Sequence, residues 1–312
     1  MHVGITGGTG FVGTHLSTQL KEHGHSVSLL ARGRSDVDPA LGSSIVYGAV
    51  NDPGAVEQLV TDCDCIVHLA GINYERGTQT YQAVHVDGTQ RVVEAAIDEG
   101  VEHIITLSYL RARPGTGSGY LDSKWISEEL IRAAPMSSTI FKPPAIFGAG
   151  DQLLTHLARW VQTLPVLPGV GLRGRGLRPI AVEDVVNGIR SCLEEPESWP
   201  ETVALLGPES LLLRELGRRI ATVLGRRPVT VPTPVPALTL GAYIQRLMLD
   251  PPIITPAGVR MISEGMTRPE PADIVDEPPT DWTAAIAPTT EVIESILDSP
   301  TRYGISDLQR PW

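Results

Sequence analysis

Cysteine is scarce in this chain, and so is any spacing that would give it a task. Cys63, Cys65 and Cys192 are the only three in 312 residues, and an odd, unpatterned count supplies neither a disulfide framework nor a zinc site. Cys63 and Cys65 flank Asp64 just ahead of Ile66-Val67-His68-Leu69-Ala70. Strand-edge thiols are the plain reading, and reduced thiols fit a cytoplasmic setting. The eight histidines show no ligand spacing, so no metal is expected. Basic residues are few: 25 Lys and Arg against 36 Asp and Glu give a formal net charge of −11. A nucleic-acid partner needs a basic face, and the scattered positive charges offer none. Long apolar runs are missing too. A spanning helix needs ~18 uninterrupted apolar residues, and the nearest stretch, 229–249, is broken by Pro232, Pro234 and Pro236 and carries Gln245 and Arg246. No charged segment followed by a long apolar one opens the chain, so no cleaved signal is expected. Internal repeats and low-complexity tracts are also absent. The expectation is a soluble, cytoplasmic protein.

What is present is an alternation. Apolar strand-like segments at 2–6, 26–30, 65–70, 103–107 and 138–141 are separated by helical patterns at 11–23, 56–61, 89–99 and 123–133. Such alternation predicts an α/β fold, a Rossmann doubly wound parallel sheet with helices on both faces. Continuously apolar strands suit a sheet covered on both sides. After Gly148 the rhythm changes. Helical patterns at 151–164, 185–194 and 213–224 are mixed with a Pro/Gly/Arg-rich loop at 166–178, a brief strand at 179–182 and a proline-spaced stretch at 227–236. Segment 268–281 mixes Pro with Asp and Glu and reads as an exposed loop, and 290–297 as a last short helix. Residues 1–150 and 175–205 are therefore expected to form the nucleotide-binding domain. Residues 151–174 and 206–312 would form a smaller C-terminal substrate lobe and tail.

The segment Ile5-Thr6-Gly7-Gly8-Thr9-Gly10-Phe11-Val12-Gly13 joins the first strand to the first helix. Gly7 permits a sharp turn. Gly10 removes a side chain where backbone must approach a pyrophosphate, and Gly13 permits close helix–strand packing. The helix start offers unpaired N–H groups to an anion. In this strand–loop–helix–strand context the motif predicts NAD or NADP. The second strand then runs into Leu29-Leu30-Ala31-Arg32-Gly33-Arg34, with no acid before Asp36. An acid there would hold the ribose hydroxyls of NAD, whereas an arginine accommodates the extra phosphate, so NADP is expected over NAD. The alternative is that Arg32 and Arg34 are solvated loop charges.

Tyr120 and Lys124 stand four residues apart, one turn apart on one helix face. A phenol near pKa ~10 is too weak a base at neutral pH. A neighbouring ammonium and an oxidised nicotinamide ring would lower it, letting it exchange a proton with a substrate oxygen. Ser108, at the end of the preceding strand, could polarise the same carbonyl.

With these pieces the chain resembles the extended or atypical short-chain dehydrogenase/reductases, of NAD-dependent epimerase/dehydratase type. The matching segments are 6–13, His68-Leu69-Ala70-Gly71, Val84-His85-Val86-Asp87-Gly88-Thr89, Tyr120 with Lys124, Phe141-Lys142-Pro143 through Phe147-Gly148, and Pro179-Ile180-Ala181-Val182-Glu183-Asp184-Val185-Val186. Lys142-Pro143 with Ile146-Phe147-Gly148 most resembles the group containing the nucleotide-binding accessory subunit of respiratory complex I. The resemblance implies Tyr120 as acid/base, Lys124 as pKa modulator and ribose contact, and Ser108 as the carbonyl-polarising hydroxyl. It implies cofactor contacts at Gly7, Thr9, Gly10, Phe11, Val12 and Gly13, with Leu69, Ala70 and Gly71 along the adenosine and ribose path and Pro143 and Ile146 near the nicotinamide.

The sequence also departs from that pattern. Gly48 is followed by Ala49 where an adenine-contacting Asp is usual, leaving Asp52 as the substitute. His85 stands in place of an Asn, whose polar bond it must supply or lose. Ser108 is followed by Tyr109 instead of a second small hydroxyl residue. Leu177-Arg178-Pro179 replaces the Arg-Asp-aromatic run of nucleotide-sugar enzymes, which counts against a UDP-sugar substrate. The reading is an NAD(P)-dependent oxidoreductase or epimerase acting on a small carbonyl or alcohol. The alternative is a protein that holds NAD(P)H without turnover, in a structural, assembly or regulatory role.

Two features stand outside this frame. Arg173, Arg175 and Arg178 could clamp an anionic substrate, or could be solvated loop charges. Leu238, Leu240, Ile244, Leu247 and Met248 have near-helical spacing in 237–249. Packing in the second lobe or over the cleft is the plain reading, and a partner or membrane-surface contact the sharper one. The oligomeric state is left open.

Overall fold

Five residues, His2–Thr6, form β1, an interior strand of a parallel sheet. The computed structural model describes residues 1–33, 37–171, 174–248, 254–269 and 275–297, with the side chains of 246–248 outside the description. The chain divides into two units. The first comprises Met1–Pro143, Val182–Leu205 and Pro269–Thr283, and the second Pro144–Ala181, Leu206–Arg268 and Ala284–Trp312.

In the first unit the elements follow in the order β1, α1 (Phe11–Glu22), β2 (Ser26–Ala31), β3 (Ser44–Tyr47), α2 (Pro53–Val60), β4 (Cys65–His68), α3 (Asp87–Asp98), β5 (His103–Leu107), α4 (Gly119–Arg132) and β6 (Ser137–Phe141). The unit is completed by two later pieces, α6 (Val182–Glu194) and β11 (Thr202–Val203). The strands make one seven-stranded sheet, ordered β11-β6-β5-β4-β1-β2-β3, and every pairing in it is parallel. This is the doubly wound Rossmann sheet. Strand order reverses between β1 and β4, where the registered pairs run from Val3↔Cys65 to Thr6↔His68, and ligands of open α/β sheets bind beyond the strand ends at such a switch point. The helices bury one stripe each: Val92, Val93 and Ala96 of α3 join Val56, Leu59, Ile66 and Ile104 in a common core. Gly100 (φ +73) stops α3 in the left-handed conformation. Cys63, Cys65 and Cys192 are free and buried. Burial pushes the thiol of Cys63 up to about 12 and that of Cys192 to about 11.

Helix α4 begins at Gly119, earlier than the predicted 123, so Tyr120 and Lys124 both lie inside it. Asp122 fastens its start by accepting from the N–H (2.9 Å) and hydroxyl (2.7 Å) of Thr116. Just before α3, Gln82–Val86 form a π-helical turn that carries His85. Such turns are rare and frequently found at functional sites.

The second unit contains β7 (Ile146–Phe147), α5 (Gln152–Thr163), β8 (Val166–Val170), β9 (Gly176–Leu177), β10 (Ile180–Ala181), β12 (Leu211–Leu212), α7 (Leu213–Val223), β13 (Val229–Thr233), α8 (Val235–Met248), α9 (Pro256–Glu264) and α10 (Thr290–Ile296). The expected loop at 166–178 is corrected here. Its first part is β8, paired in parallel with β13, and its end is β9, antiparallel to β12. Pro168 lacks an N–H, but a strand in a two-stranded ladder needs donors along only one edge. Gly217 lets α7 close on β8: a methyl there would stand 2.5 Å from Leu167. Val161, Leu167 and Ala221 form this unit's small core, with Trp160 and Leu157 against them. On α8, Leu240, Tyr243 and Ile244 are exposed while Ala242 is buried, so the plain packing reading of that stretch fails for these side chains. Leu249 lies outside the described residues, as do the side chains of Leu247 and Met248. Among the described residues no helix is long and apolar enough to cross a membrane.

Candidate functional site

The loop after β1 is shaped by missing side chains. Gly7 holds φ +68, and a methyl on it would meet the Leu69 carbonyl carbon and the Ala70 nitrogen at 2.8 Å. A methyl on Gly13 would stand 2.3 Å from the Gly7 oxygen. The Gly10 N–H closes the turn on that same oxygen at 2.9 Å. Gly10 is the N-cap of α1 and brings no side-chain cap, so the amides of Phe11, Val12 and Gly13 have no intrahelical acceptor. Thr9 and Gly10 are exposed, and Phe11 meets His15 edge-on at 5.5 Å. An exposed, cap-free helix start behind a glycine cradle fits a pyrophosphate. Arg32 follows β2, exposed, and its Nη1 donates to Gln79 Oε1 at 2.5 Å. Arg34 and Asp36 lie outside the described residues.

Behind the cradle runs a buried polar chain whose proton directions can be worked out. The Ala70 N–H donates to Thr6 Oγ1 (3.2 Å), and Thr6 pairs with His68 Nδ1 at 2.8 Å. His68 Nε2 lies 3.0 Å from Thr89 Oγ1, which donates to the His85 carbonyl at 2.5 Å and pairs with Ser127 Oγ at 2.7 Å. The Thr89 proton is spent on a carbonyl, so His68 must donate from Nε2 and accept at Nδ1. Burial and then the charge of Lys124 lower His68 to about 3, which keeps it neutral.

Tyr120 sits in a cluster of rings. Tyr81 and His85 each lie 5.7 Å from it and Tyr109 6.1 Å, all edge-on. It is 8% exposed, and its phenolic oxygen has no hydrogen-bond partner among the described residues. Lys124 Nζ donates to the Leu107 carbonyl at 3.0 Å. It also comes close to Gly71, where a methyl would stand 3.5 Å from Nζ and 3.4 Å from His85 Nε2. Glycine at 71 thus keeps the space in front of the ammonium clear. Burial lowers Lys124 to about 8, opposed by the carboxylate of Glu128. The sequence reading expects the tyrosine to be lowered by its lysine. Burial instead raises it, with Tyr81 adding to the effect.

His85 is hydrogen-bonded through both ring nitrogens. Its Nε2 accepts from the Ile72 N–H at 3.0 Å, and its Nδ1 lies 2.8 Å from Ser123 Oγ. Ser123 in turn donates to the Tyr120 carbonyl at 2.9 Å. The backbone N–H fixes Nε2 as acceptor, so Nδ1 carries the hydrogen. Burial, Lys124 and His68 lower this imidazole to about 2.

Ser108 is not placed as expected. Its hydroxyl donates to Glu128 Oε1, so its proton is committed inward and is not offered to a carbonyl. Glu128 is 1% exposed and also receives Lys142 Nζ at 3.1 Å and Arg132 Nη2 at 2.9 Å. Lys142, equally buried, donates to the Ala112 carbonyl at 3.1 Å, and its Nζ lies 5.8 Å from the centre of the Trp125 ring. Sequence reasoning missed Glu128 and the charge of Lys142. The available signals were a carboxylate one turn after Lys124 on the same helix face and a lysine closing an apolar strand.

The remaining expected residues fall as follows. Asp52 does not stand free for adenine: it caps α2 by accepting from the Ala55 N–H at 3.4 Å. Pro143 is buried at the end of the first unit, its carbonyl accepting from the Leu110 N–H at 2.9 Å. Ile146 belongs to the second unit, in β7 opposite Ile180. Arg178 spends its Nε on the Gly207 carbonyl at 2.5 Å. Arg173 lies outside the described residues.

Comparison with known proteins gives the family. The chain is 30% identical to the ceramide reductase of Caulobacter vibrioides over 98% of its own length and 91% of that protein. It is 26% identical to the mouse mitochondrial NADH dehydrogenase [ubiquinone] 1 alpha subcomplex subunit 9 over 74% of its own length, and it spans 63% of that subunit. Among solved structures, MoeE5 in complex with UDP-glucose and NAD superposes with a TM-score of 0.68 at 18% identity, covering 95% of this chain and 96% of that one. At that identity the likeness concerns the fold. The family model described as NAD dependent epimerase/dehydratase matches residues 3–205, the stretch that holds the glycine cradle, His85, Tyr120 and Lys124, and the chain belongs to that family.

Proposed function

We propose that the protein is an NAD(P)-dependent reductase that converts a carbonyl to an alcohol, with Tyr120 as the proton donor. One observation carries the reading: a buried phenol with an unclaimed oxygen, one helical turn from an ammonium that Gly71 leaves accessible. When bound, the nicotinamide supplies hydride to the carbonyl carbon. Tyr120 gives its proton to the carbonyl oxygen, and a phenol raised by burial arrives at that step protonated, which favours reduction over oxidation. Lys124 stabilises the phenolate that forms and holds the ribose. His85 is a positioning residue: through Ser123 and the Ile72 amide it ties the loop after β4 to α4. Ser108 acts through Glu128, which keeps Lys124 charged.

The cofactor cradle is Gly7, Thr9, Gly10, Phe11, Val12 and Gly13, continued by Leu69, Ala70 and Gly71, with Pro143 toward the nicotinamide. NADP is taken over NAD because Arg32 is exposed and, among the described residues, paired with a neutral amide alone, leaving its charge for a 2′-phosphate. The ceramide reductase likeness points to a carbonyl on a ceramide-type lipid as the first substrate to try.

The test is cofactor oxidation with NADPH and NADH over a carbonyl panel that includes such a lipid. Tyr120→Phe is expected to slow turnover by about 10²–10⁴-fold with cofactor affinity unchanged. The wild-type rate should fall as pH rises through about 8, where Lys124 loses its charge. Equal turnover by Tyr120→Phe would remove the assignment. Titrating NADP and NAD against Arg32→Ala decides the cofactor, and an unchanged NADP affinity would remove Arg32 from the argument. A second reading, a protein that holds NAD(P)H without turnover, draws on the commitment of Ser108 to Glu128 and on the complex I relative. Tight NADPH binding with no oxidation across the panel would favour it.

A further inference from the structure

The second unit carries the opposite charge to the first. Its sequence holds fourteen Arg, no Lys and nine Asp and Glu, a balance of +5 against −16 for the first unit, which together make the chain's −11. Within it lies a cavity of about 300 Å³ lined by Arg175, Arg214 and Arg218 together with Thr230 and the turn glycines Gly171 and Gly174. Among the described residues no carboxylate lines it, and none pairs with any of these three guanidinium groups. Nearby arginines are tied down. Arg219, next along α7, is gripped by both carboxylate oxygens of Glu209 (2.7 and 2.5 Å), and Arg178 is held by Gly207.

Arg214 and Arg218 stand four residues apart on α7, where like charges repel. A helix gains nothing from that pair unless an anion bridges it. Thr230 adds a second, independent sign: its Oγ1 is buried with no hydrogen-bond partner, and buried hydroxyls normally find one. The backbone cooperates. Gly171 (φ +74) and Gly174 (φ +71) hold left-handed turns, and even a methyl on Gly174 would stand only 3.7 Å from Arg214 Nη1.

We propose that this cavity is an oxyanion site that binds the phosphate group of a phosphate monoester. Guanidinium forks match phosphate oxygens in geometry and charge, and rotation of the Thr230 side chain would bring its covered hydroxyl to the ligand as a neutral donor. The volume is at the low end for small-ligand pockets and leaves room for part of the esterified alcohol. The site rests on the second unit alone and is independent of whether the bound dinucleotide is turned over.

The experiment uses the full chain with saturating NADPH, so that the dinucleotide's own phosphates are already satisfied elsewhere. Calorimetric titration with inorganic phosphate and glycerol 3-phosphate is run beside co-sedimentation with phosphatidylcholine vesicles with and without phosphatidic acid. Binding of glycerol 3-phosphate identifies a soluble ester as the source. Binding only to the phosphatidic acid vesicles identifies a lipid headgroup. In either arm Arg214→Gln and Arg218→Gln should each weaken binding by about tenfold or more, the scale of one charge-assisted hydrogen bond, and Thr230→Val by a smaller factor. NADPH affinity should not change. No binding in any arm, or binding unaltered in Arg175→Gln/Arg214→Gln/Arg218→Gln, overturns the proposal. Should the triple variant lose its fold, Arg218→Gln alone carries the same decision, since that side chain is exposed and unpaired.

Discussion

The two units treat charge in opposite ways. In the first, Lys142 and Arg132 converge on Glu128, and His68 and His85 are held neutral inside chains of hydroxyls and backbone groups. In the second, three guanidinium groups face a cavity that no carboxylate lines among the described residues. A buried polar network that is fully partnered rigidifies what surrounds it, which suits the support of a reacting group. Exposed charges left without partners do little for stability but keep their pairing capacity for a ligand. The contrast separates scaffolding charge from receptive charge within one chain.

The largest way to break the contrast is at the buried pair. Lys142→Met leaves Glu128 facing Arg132 alone, and breaking a buried ion pair costs about 3–5 kcal/mol. Urea denaturation should show a loss of that size, and a loss under about 1 kcal/mol would mean that Arg132 and Ser108 suffice. Next comes Gly13→Ala. Its new methyl meets the Gly7 oxygen at 2.3 Å, and overpacking of about 1–3 kcal/mol implies a loss of up to about a hundredfold in dinucleotide affinity. Phosphate binding by the second unit should be untouched, which a paired titration would check.

Acid should act on the first unit in a predictable direction. His68 and His85 are lowered to about 3 and about 2 in the fold and return to 6.5 when unfolded. The unfolded chain therefore takes up protons that the folded chain refuses. Stability is complete above 6.5 and is lost as pH falls from there toward 3, by at most about 1.4 kcal/mol per pH unit for each group. His85→Asn, which can still accept from Ile72 and donate to Ser123, should reduce that slope by one proton. Urea midpoints at pH 7 and pH 5 measure it, and an unchanged slope would mean that His85 takes up a proton in the folded state. The smallest effects belong to the second unit. Arg175→Gln or Arg218→Gln removes no ion pair and should shift stability by no more than about 0.5 kcal/mol. Arg219→Gln, which gives up Glu209, should cost up to about 1 kcal/mol.

Much of the first unit can be read directly from its residues, because its strands are mostly buried and rich in apolar residues and its helices carry clear stripes. Strand β3 escapes that reading. Ser44–Tyr47 is a four-residue edge strand in which only Val46 is fully buried, so it has almost no pattern to show. Strand β8 escapes for another reason: Pro168 and Gly169 look like loop residues, and the pairing that makes a strand of them comes from Val229–Thr233, about sixty residues later. The glycine cradle and the Tyr120–Lys124 spacing are local motifs and therefore visible in the sequence. The engagement of Ser108 is not, since its partner Glu128 lies twenty residues away and looks in sequence like any solvated helix charge. For the same reason the arginines of 166–178 could be noticed but not sorted. Only their placement shows Arg178 spent on a carbonyl and Arg175 beside Arg214 and Arg218.

The hydrogen-bond chain from His85 bears on how protons can travel. It passes from the imidazole through Ser123 and ends on the Tyr120 carbonyl, an oxygen with no proton to hand on. It can therefore brace the helix but cannot conduct, and it offers Tyr120 no internal reservoir. Any proton exchange at the phenol is therefore left to its other neighbours, with the ammonium of Lys124, one helical turn away, the nearest candidate.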